Sequence, residues 1–250
     1  MLKGRVGGFF ADSMMLADVP SSTIPRTFAS ARMPSMSTAQ HSRMINAAAR
    51  TVLRPLGCVQ KGRSRIWIDD QVWWIGVVEF QPSSGRKGSY LNVGACWLWH
   101  EKDFLSFDAG HRVGTFHEFI DEEQFSAEAT LLARRAAQEV VALRDRFPSI
   151  AHALAWTTAN ASPTLWNTYH SAVLAVLAGE VERSGLLFTE VIADPNDVPW
   201  AVELKQRVVG LLHCLESGAG FEQEIAATIG RTRIALGLPA CQRAANGIEF

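Results

Sequence analysis

The segment from Met44 to Trp99 constrains the fold more than any other part of the chain. A helical pattern of apolar residues ends at Arg54-Pro55-Leu56-Gly57, because proline and glycine stop a helix. A basic stretch follows over 61–65, and the strand-like runs in and after it carry five of the eight tryptophans. Aromatic and β-branched residues favour strands, and short loops make successive strands antiparallel neighbours. The segment therefore predicts one helix followed by an antiparallel meander.

Three strands are predicted, over 66–68, 72–80 and 90–98, and the residues between 111 and 120 predict a fourth. The run 72–80 is almost continuously apolar, which is typical of a central strand covered by helices. From residue 122 onward the apolar spacing is helical. The fold class predicted is α+β: an antiparallel sheet of three to four strands with an N-terminal helix and a C-terminal helical set.

The composition divides the chain into three parts. All six methionines lie at or before position 44, and the opening stretch is rich in glycine, proline and serine without a sustained period. Such a stretch cannot bury enough surface to offset its ordering entropy. Residues 1–36 are therefore predicted to be a disordered tail or an over-extended start, with the natural start at Met36 or Met44. Residues 37–147 form the predicted α+β domain, and residues 148–250 a helical region packed on it.

The bulk numbers exclude several classes of function. Of 250 residues, 48% are hydrophobic and 20% are charged, with a formal net charge of -1. A chain so nearly neutral has no global field that would attract nucleic acid or an acidic membrane surface. No apolar run approaches the roughly 18 residues of a membrane helix, so no membrane association is predicted. Four isolated cysteines favour buried free thiols and a cytoplasmic location.

The C-terminal third reads as helices only. The starts at Ser162 and Asp197 have the spacing of a tetratricopeptide-like hairpin. Such repeats normally need about three units to be stable. The sequence therefore favours helices packed against the sheet over a repeat array.

A family resemblance is visible in the first half of the body. Its elements are a helix that ends in a leucine-glycine corner, a lysine-glycine approach to the first strand, and a strand with asparagine between apolar residues. These are Val52-Leu53-Arg54-Pro55-Leu56-Gly57, Lys61-Gly62-Arg63, Val77-Val78-Glu79-Phe80-Gln81, Tyr90-Leu91-Asn92-Val93-Gly94 and Arg112-Val113-Gly114. Over roughly residues 44–147 the chain resembles the bacterial domain of unknown function 4304 family. The resemblance implies a bacterial cytosolic α+β domain, sometimes encoded near defence or toxin-immunity genes. Because the activity of that family is unassigned, no catalytic residues can be transferred from it to this chain.

The densest polar cluster in the sequence surrounds Arg112. His117 and Glu118 follow it closely, and His111 precedes it. In a hydrolase or nuclease-like enzyme, His117 would be a general base and Arg112 would hold an anion. The alternative is the solvated edge of a strand, and it is favoured because neighbouring residues on a strand point to opposite faces.

A basic corner between the first helix and the first strand is the best candidate for a binding surface. It consists of Arg54, Lys61, Arg63, Arg65 and Trp67. The cations would contact phosphates while the tryptophan stacks on a base. The alternative is a solvated corner that keeps the sheet edge soluble, which the slightly negative net charge favours.

No other pattern indicates a reaction. The seven histidines include no pair with the spacing of a helical zinc site, and neither a serine-hydrolase elbow nor a dinucleotide fingerprint occurs. Neither a metal nor a cofactor is therefore predicted. Trp97 and Trp99 share one strand face and are assigned to the core rather than to a partner-binding patch. The function predicted is a non-catalytic module of the immunity or accessory type that binds another protein, with the enzyme and the nucleic-acid binder as alternatives.

Overall fold

The computed structural model describes residues 36–218 and 220–239. The first helix and a six-stranded sheet occupy the first part of that range. They are α1 (Met36–Leu53), β1 (Val59–Gln60), β2 (Ile66–Asp70), β3 (Trp74–Gln81), β4 (Gly88–Trp97), β5 (Ala109–Arg112) and β6 (His117–Glu118). Six further helices follow. They are α2 (Glu122–Arg146), α3 (Ile150–Ala159), α4 (Leu165–Leu177), α5 (Val181–Ala193), α6 (Pro199–Glu216) and α7 (Phe221–Leu236).

The sheet is an antiparallel meander in the order β1-β2-β3-β4-β5, with β6 paired to the start of β4. The α+β class is confirmed, but the predicted count of three to four strands is too low. Strand β1 is only two residues long, too short to show an alternating pattern. The residues between 111 and 120, predicted to add one strand, contribute to two, β5 and β6. The predicted tail 1–36 lies outside the described residues, apart from Met36, which begins α1.

Two consecutive aspartates at the end of β2 bind two different helices. Asp69 accepts hydrogen bonds from Arg144 of α2, with 2.9 Å between Oδ2 and Nε. Asp70 accepts from Arg233 of α7, with 2.6 Å between Oδ2 and Nη2. Because neighbouring strand residues point to opposite faces, α2 and α7 lie on opposite sides of the sheet. Strand β3 is buried along most of its length, as expected for a central strand.

The tryptophans form the centre of the core. Trp97 and Trp99 are fully buried, and their rings stack with centroids 5.0 Å apart. Phe147, the residue that ends α2, meets the edge of Trp97 at 5.0 Å. The assignment of Trp97 and Trp99 to the core is confirmed. One continuous buried cluster joins these residues to the apolar faces of α4, α6 and α7, so the sheet and the C-terminal helices share a single core.

Candidate functional site

The structure does not bring Arg112, His117 and Glu118 together. The Nδ1 atom of His117 lies 2.5 Å from Oε2 of Glu128 on α2, beneath one face of the sheet. Arg112 is paired across β4 with Asn92, whereas His117 is paired with Ser89. These two β4 positions are three residues apart, so Arg112 and His117 point to opposite faces.

Arg112 instead completes a polar ladder across three strands. Its Nε donates to Oδ1 of Asn92 at 3.2 Å, and its Nη2 donates to Oε1 of Gln81 at 2.9 Å. Asn92 is buried and donates in turn to Glu79 at 2.9 Å. The guanidinium also lies 4.1 Å from the ring centre of Tyr90. These contacts hold Arg112 flat against the sheet, which is an arrangement that stabilises strand register.

In the structure, the tryptophan of the basic corner is not accessible for stacking on a base. Trp67 is fully buried in the core and cannot lie against a nucleobase. Lys61 reaches back to the carbonyl of Leu236 at the end of α7, with 3.3 Å between Nζ and the oxygen. Arg65 donates to the Gly88 carbonyl, and burial lowers its pKa to about 10. Only Arg54 and Arg63 of the predicted set are exposed.

The most unusual chemistry in the described residues is a buried ion pair that the sequence did not reveal. Lys102 is buried, and its Nζ donates to Oγ of Ser106 at 2.7 Å and to Oδ2 of Asp108 at 3.1 Å. The backbone N–H of Trp97 donates to the same Asp108 oxygen at 2.7 Å. Burial is the largest single influence and would lower the pKa of Lys102, but Asp108 and Cys96 together outweigh it and raise that pKa. The pKa of Asp108 is lowered because Lys102 outweighs the effect of burial, so both groups are charged at neutral pH.

His170 completes this cluster from helix α4. The indole N–H of Trp99 donates to its Nδ1 at 2.9 Å, so the neutral ring carries its proton on Nε2, 3.8 Å from Oδ1 of Asp108. Burial lowers the pKa of His170 to about 4. A protonated Lys102 cannot accept a proton from Ser106, and Nδ1 of His170 is already occupied. The cluster is therefore arranged to hold charge and position rather than to activate a nucleophile.

A second set of hydrogen bonds extends the cluster into the C-terminal helices. The hydroxyl of Tyr169 on α4 donates to the carbonyl of Trp99 at 3.1 Å. Arg207 on α6 donates to the Tyr169 oxygen at 3.1 Å, to the Trp99 carbonyl at 3.2 Å and to Thr228 of α7 at 2.9 Å. One carbonyl after β4 thus anchors three helices. No sequence signal could have found this set, since its members are up to 129 residues apart between Trp99 and Thr228 and have no motif spacing.

The outer surface of the same helices carries a row of exposed apolar side chains. Val202 and Val209 are seven residues apart and share one face of α6, and Val198 is the residue directly before that helix. Val181 and Ile192 are eleven residues apart and share a face of α5. We call these five residues the α5–α6 seam, and their exposed fractions are 48% for Val181, 37% for Ile192, 39% for Val198, 39% for Val202 and 55% for Val209.

The contacts of Lys205 indicate how the exposed face of α6 is oriented relative to α5. It belongs to the same face of α6 as Val202 and Val209, at spacings of three and four residues. Its Nζ donates to the carbonyls of Asp194 and Asn196, immediately after α5. The face of α6 that carries Val202 and Val209 therefore lies toward the segment that joins it to α5, and the two helices pack against each other.

Comparison with known proteins found no match: no family model, no curated protein and no solved structure matches the chain. The resemblance to the bacterial domain of unknown function 4304 family stays a prediction. No group of three metal-ligating side chains occurs within residues 36–218 and 220–239. In that same part of the chain, no helix is both long enough and apolar enough to cross a membrane.

Proposed function

We propose that this chain is a non-catalytic interaction module that binds another protein through the α5–α6 seam. The observation that carries the proposal is the alignment of five exposed apolar side chains along two adjacent helices. Scattered single exposed residues are common on protein surfaces, whereas aligned ones indicate a contact surface. Four of the five are valines, which lose little rotamer entropy on binding because a valine side chain has only one rotatable bond.

The site geometry supports this function over the enzyme. Arg112, His117 and Glu118 lie apart, and the buried ion pair of Lys102 and Asp108 is occupied with its own partners. It also supports protein over nucleic acid, because burial of Trp67 removes the stacking surface that the basic corner would need.

A cytoplasmic, bacterial setting of the immunity or accessory type completes the proposal. Cys58 and Cys96 are buried free thiols. Burial, with a smaller effect of the Asp69 charge, raises the pKa of Cys58 to about 11, so this thiol is unreactive. Unpaired buried thiols are typical of proteins from a reducing compartment. The bacterial origin and the immunity type rest on the family resemblance alone.

The test is partner capture from a host extract by three forms of the tagged chain. The wild type should retain a stoichiometric partner protein, and Val202→Ser with Val209→Ser should lose it. Leu186→Ser is the matched control, because Leu186 is 75% exposed and lies off the seam; it should retain the partner. Valine and serine have similar helix propensities, and one exposed leucine-to-serine change costs only a few tenths of a kcal/mol, so circular dichroism should show all three forms folded. Equal capture by wild type and double variant would refute the proposal.

A further inference from the structure

The segment from the start of α5 to the end of α6, including the connection between them, carries twice as many acidic as basic side chains. Over residues 181–216 there are six acids, Glu182, Glu190, Asp194, Asp197, Glu203 and Glu216, and three bases, Arg183, Lys205 and Arg207. Three of the acids directly follow or precede a seam residue in sequence: Glu182 after Val181, Asp197 before Val198, and Glu203 after Val202. The seam therefore has an acidic margin.

The three bases offset this margin only in part. Arg183 and Arg207 pair with acids outside the six, whereas Lys205 keeps its positive charge because backbone carbonyls are neutral. Arg183 pairs with Glu180 at 2.9 Å and donates to Thr158. Lys205 donates to two backbone carbonyls, and Arg207 points inward to Tyr169 and Thr228. By contrast, none of the six acids forms an ion pair with any residue in the described ranges. Within the described part of the chain, six acids without an ion pair, against Lys205 as the one base without one, leave an excess of negative charge beside the apolar side chains.

We propose that the seam receives a basic amphipathic helix from the partner protein, an inference that rests on the function proposed above. A seam between two antiparallel helices accepts a third helix by the same packing of ridges into grooves that joins α5 to α6. Apolar residues of the incoming helix, recurring every three or four positions, would cover Val202, Val209 and their neighbours. Lysine or arginine on its flanks would face Glu182, Asp197 and Glu203.

The charges would act mainly on the rate and selectivity of association. Exposed ion pairs at the rim of an interface add little to affinity but steer encounter and reject partners of the wrong sign. Because these pairs are exposed, salt should weaken them strongly. The apolar contacts should supply most of the remaining affinity, since they are not screened.

Two model helices test the inference directly. Each is a labelled peptide of about 18 residues with leucine at every third or fourth position; one has lysine and the other glutamate at all remaining positions. Fluorescence anisotropy with the full chain should show saturable one-to-one binding of the lysine peptide, weakened about tenfold between roughly 50 and 300 mM salt. The glutamate peptide should bind at least about thirtyfold more weakly. Equal binding of the two peptides, or no binding of either, would overturn the inference.

Charge variants show whether the acidic margin is responsible. Glu182→Gln with Asp197→Asn and Glu203→Gln should weaken binding of the lysine peptide about tenfold. The matched control removes three exposed acids elsewhere, with Glu122→Gln, Glu123→Gln and Glu222→Gln, and should change it less than about threefold. Equal losses of peptide affinity in the two triple variants would show that only the net charge of the protein matters, and would overturn the inference.

The same variants separate this inference from the proposed function. Suppose that Val202→Ser with Val209→Ser loses the extract partner, while the acidic triple variant keeps it and binds both peptides alike. The proposed interaction function is then supported, and the inference of a basic partner helix is wrong. If the valine variant keeps the extract partner, the module itself fails. Sedimentation of the wild type tests whether a second copy of the chain occupies the seam. A dimer that dissociates in the valine variant would assign the seam to self-association and overturn the inference.

Discussion

Lys102 and Asp108 are each costly to bury alone and are stable only together. Removing one partner of a buried ion pair leaves an uncompensated charge, which typically costs about 3–5 kcal/mol. Lys102→Met should therefore lower the free energy of unfolding by about that amount, measured by urea denaturation. Adding Asp108→Asn should restore part of the loss, because the amide still accepts from the Trp97 N–H without an orphaned charge. A loss below about 1 kcal/mol in the single variant would contradict the buried pair.

The buried His170 and the half-buried His100 predict how stability depends on pH. Burial lowers the pKa of His170 to about 4 and that of His100 to about 3, from the ordinary value of 6.5. Between pH 6.5 and 4 the unfolded chain binds protons at these rings and the folded chain does not. Stability therefore rises with pH across this window, by up to about 1.4 kcal/mol per pH unit for each histidine.

The measurement is urea unfolding at several pH values from 7 down to 4.5. The wild type should lose stability as the pH falls, and His170→Gln should show a shallower slope while keeping an acceptor near the Trp99 indole. Asp108 does not reverse the sign, because its lowered pKa also makes its contribution disappear in acid. Identical slopes in wild type and variant would mean that His170 is not held neutral.

At the level of residues, the sequence predicted burial better than it predicted partners. Trp97 and Trp99 could be assigned to the core because their chemistry favours burial wherever they lie. Lys102 stands between Glu101 and Asp103 and reads as an ordinary exposed cation. Only the return of the chain through Asp108 and α4 supplies the carboxylate and the imidazole that make its burial possible.

Strands β4 and β5 approach so closely that no side chain fits between them at one position. A Cβ added to Gly94 would lie 2.5 Å from the Cα of Gly110 and 2.9 Å from the carbonyl oxygen of Ala109. Both neighbours are backbone and cannot rotate away. Gly94→Ala should therefore displace β5 and cost about 1–3 kcal/mol in urea unfolding. Gly85→Ala in the β3–β4 loop is the control, because nothing lies within 4 Å of its added Cβ; an equal loss there would contradict the argument.

Helices with a marked start were predictable from the sequence, and the helix without one was not. Asp121 caps α2 by accepting from the Gln124 N–H, and Ser149 caps α3. Helix α5 has no side-chain cap: Glu180 precedes it, and its first turn carries no proline. No start signal therefore marks it in the sequence, although α5 forms half of the seam. The candidate surface was missed for the same reason, because two rows on different helices become one surface only after folding.

A single segment after β4 joins the sheet to the C-terminal helices by hydrogen bonds. The Trp99 carbonyl accepts from Tyr169 and Arg207, and the His100 carbonyl accepts from Thr232 of α7 at 3.2 Å. The sheet itself is held to α2 and α7 through Asp69 and Asp70. The α5–α6 seam lies on the outer side of this arrangement, so a partner bound there would contact helices whose inner faces are already fixed.

Hydrogen exchange of Arg207→Met tests how much these hydrogen bonds contribute to holding the C-terminal helices in place. The change removes hydrogen bonds from a charged donor to Tyr169, Trp99 and Thr228, each worth about 1.5–3 kcal/mol. Local opening of α6 and α7 should then become easier, and their amides should exchange at least about tenfold faster than in the wild type. Amides of β3 and β4 should change much less, because their ladders and the tryptophan stack remain. Arg183→Met is the control, since Arg183 pairs with the exposed Glu180, and it should leave α6 and α7 within about threefold of wild type. Uniformly faster exchange in the sheet and the helices would instead show that Arg207 stabilises the whole fold and not only the docking of the helices. Unchanged exchange would show that apolar packing alone holds the helices in place.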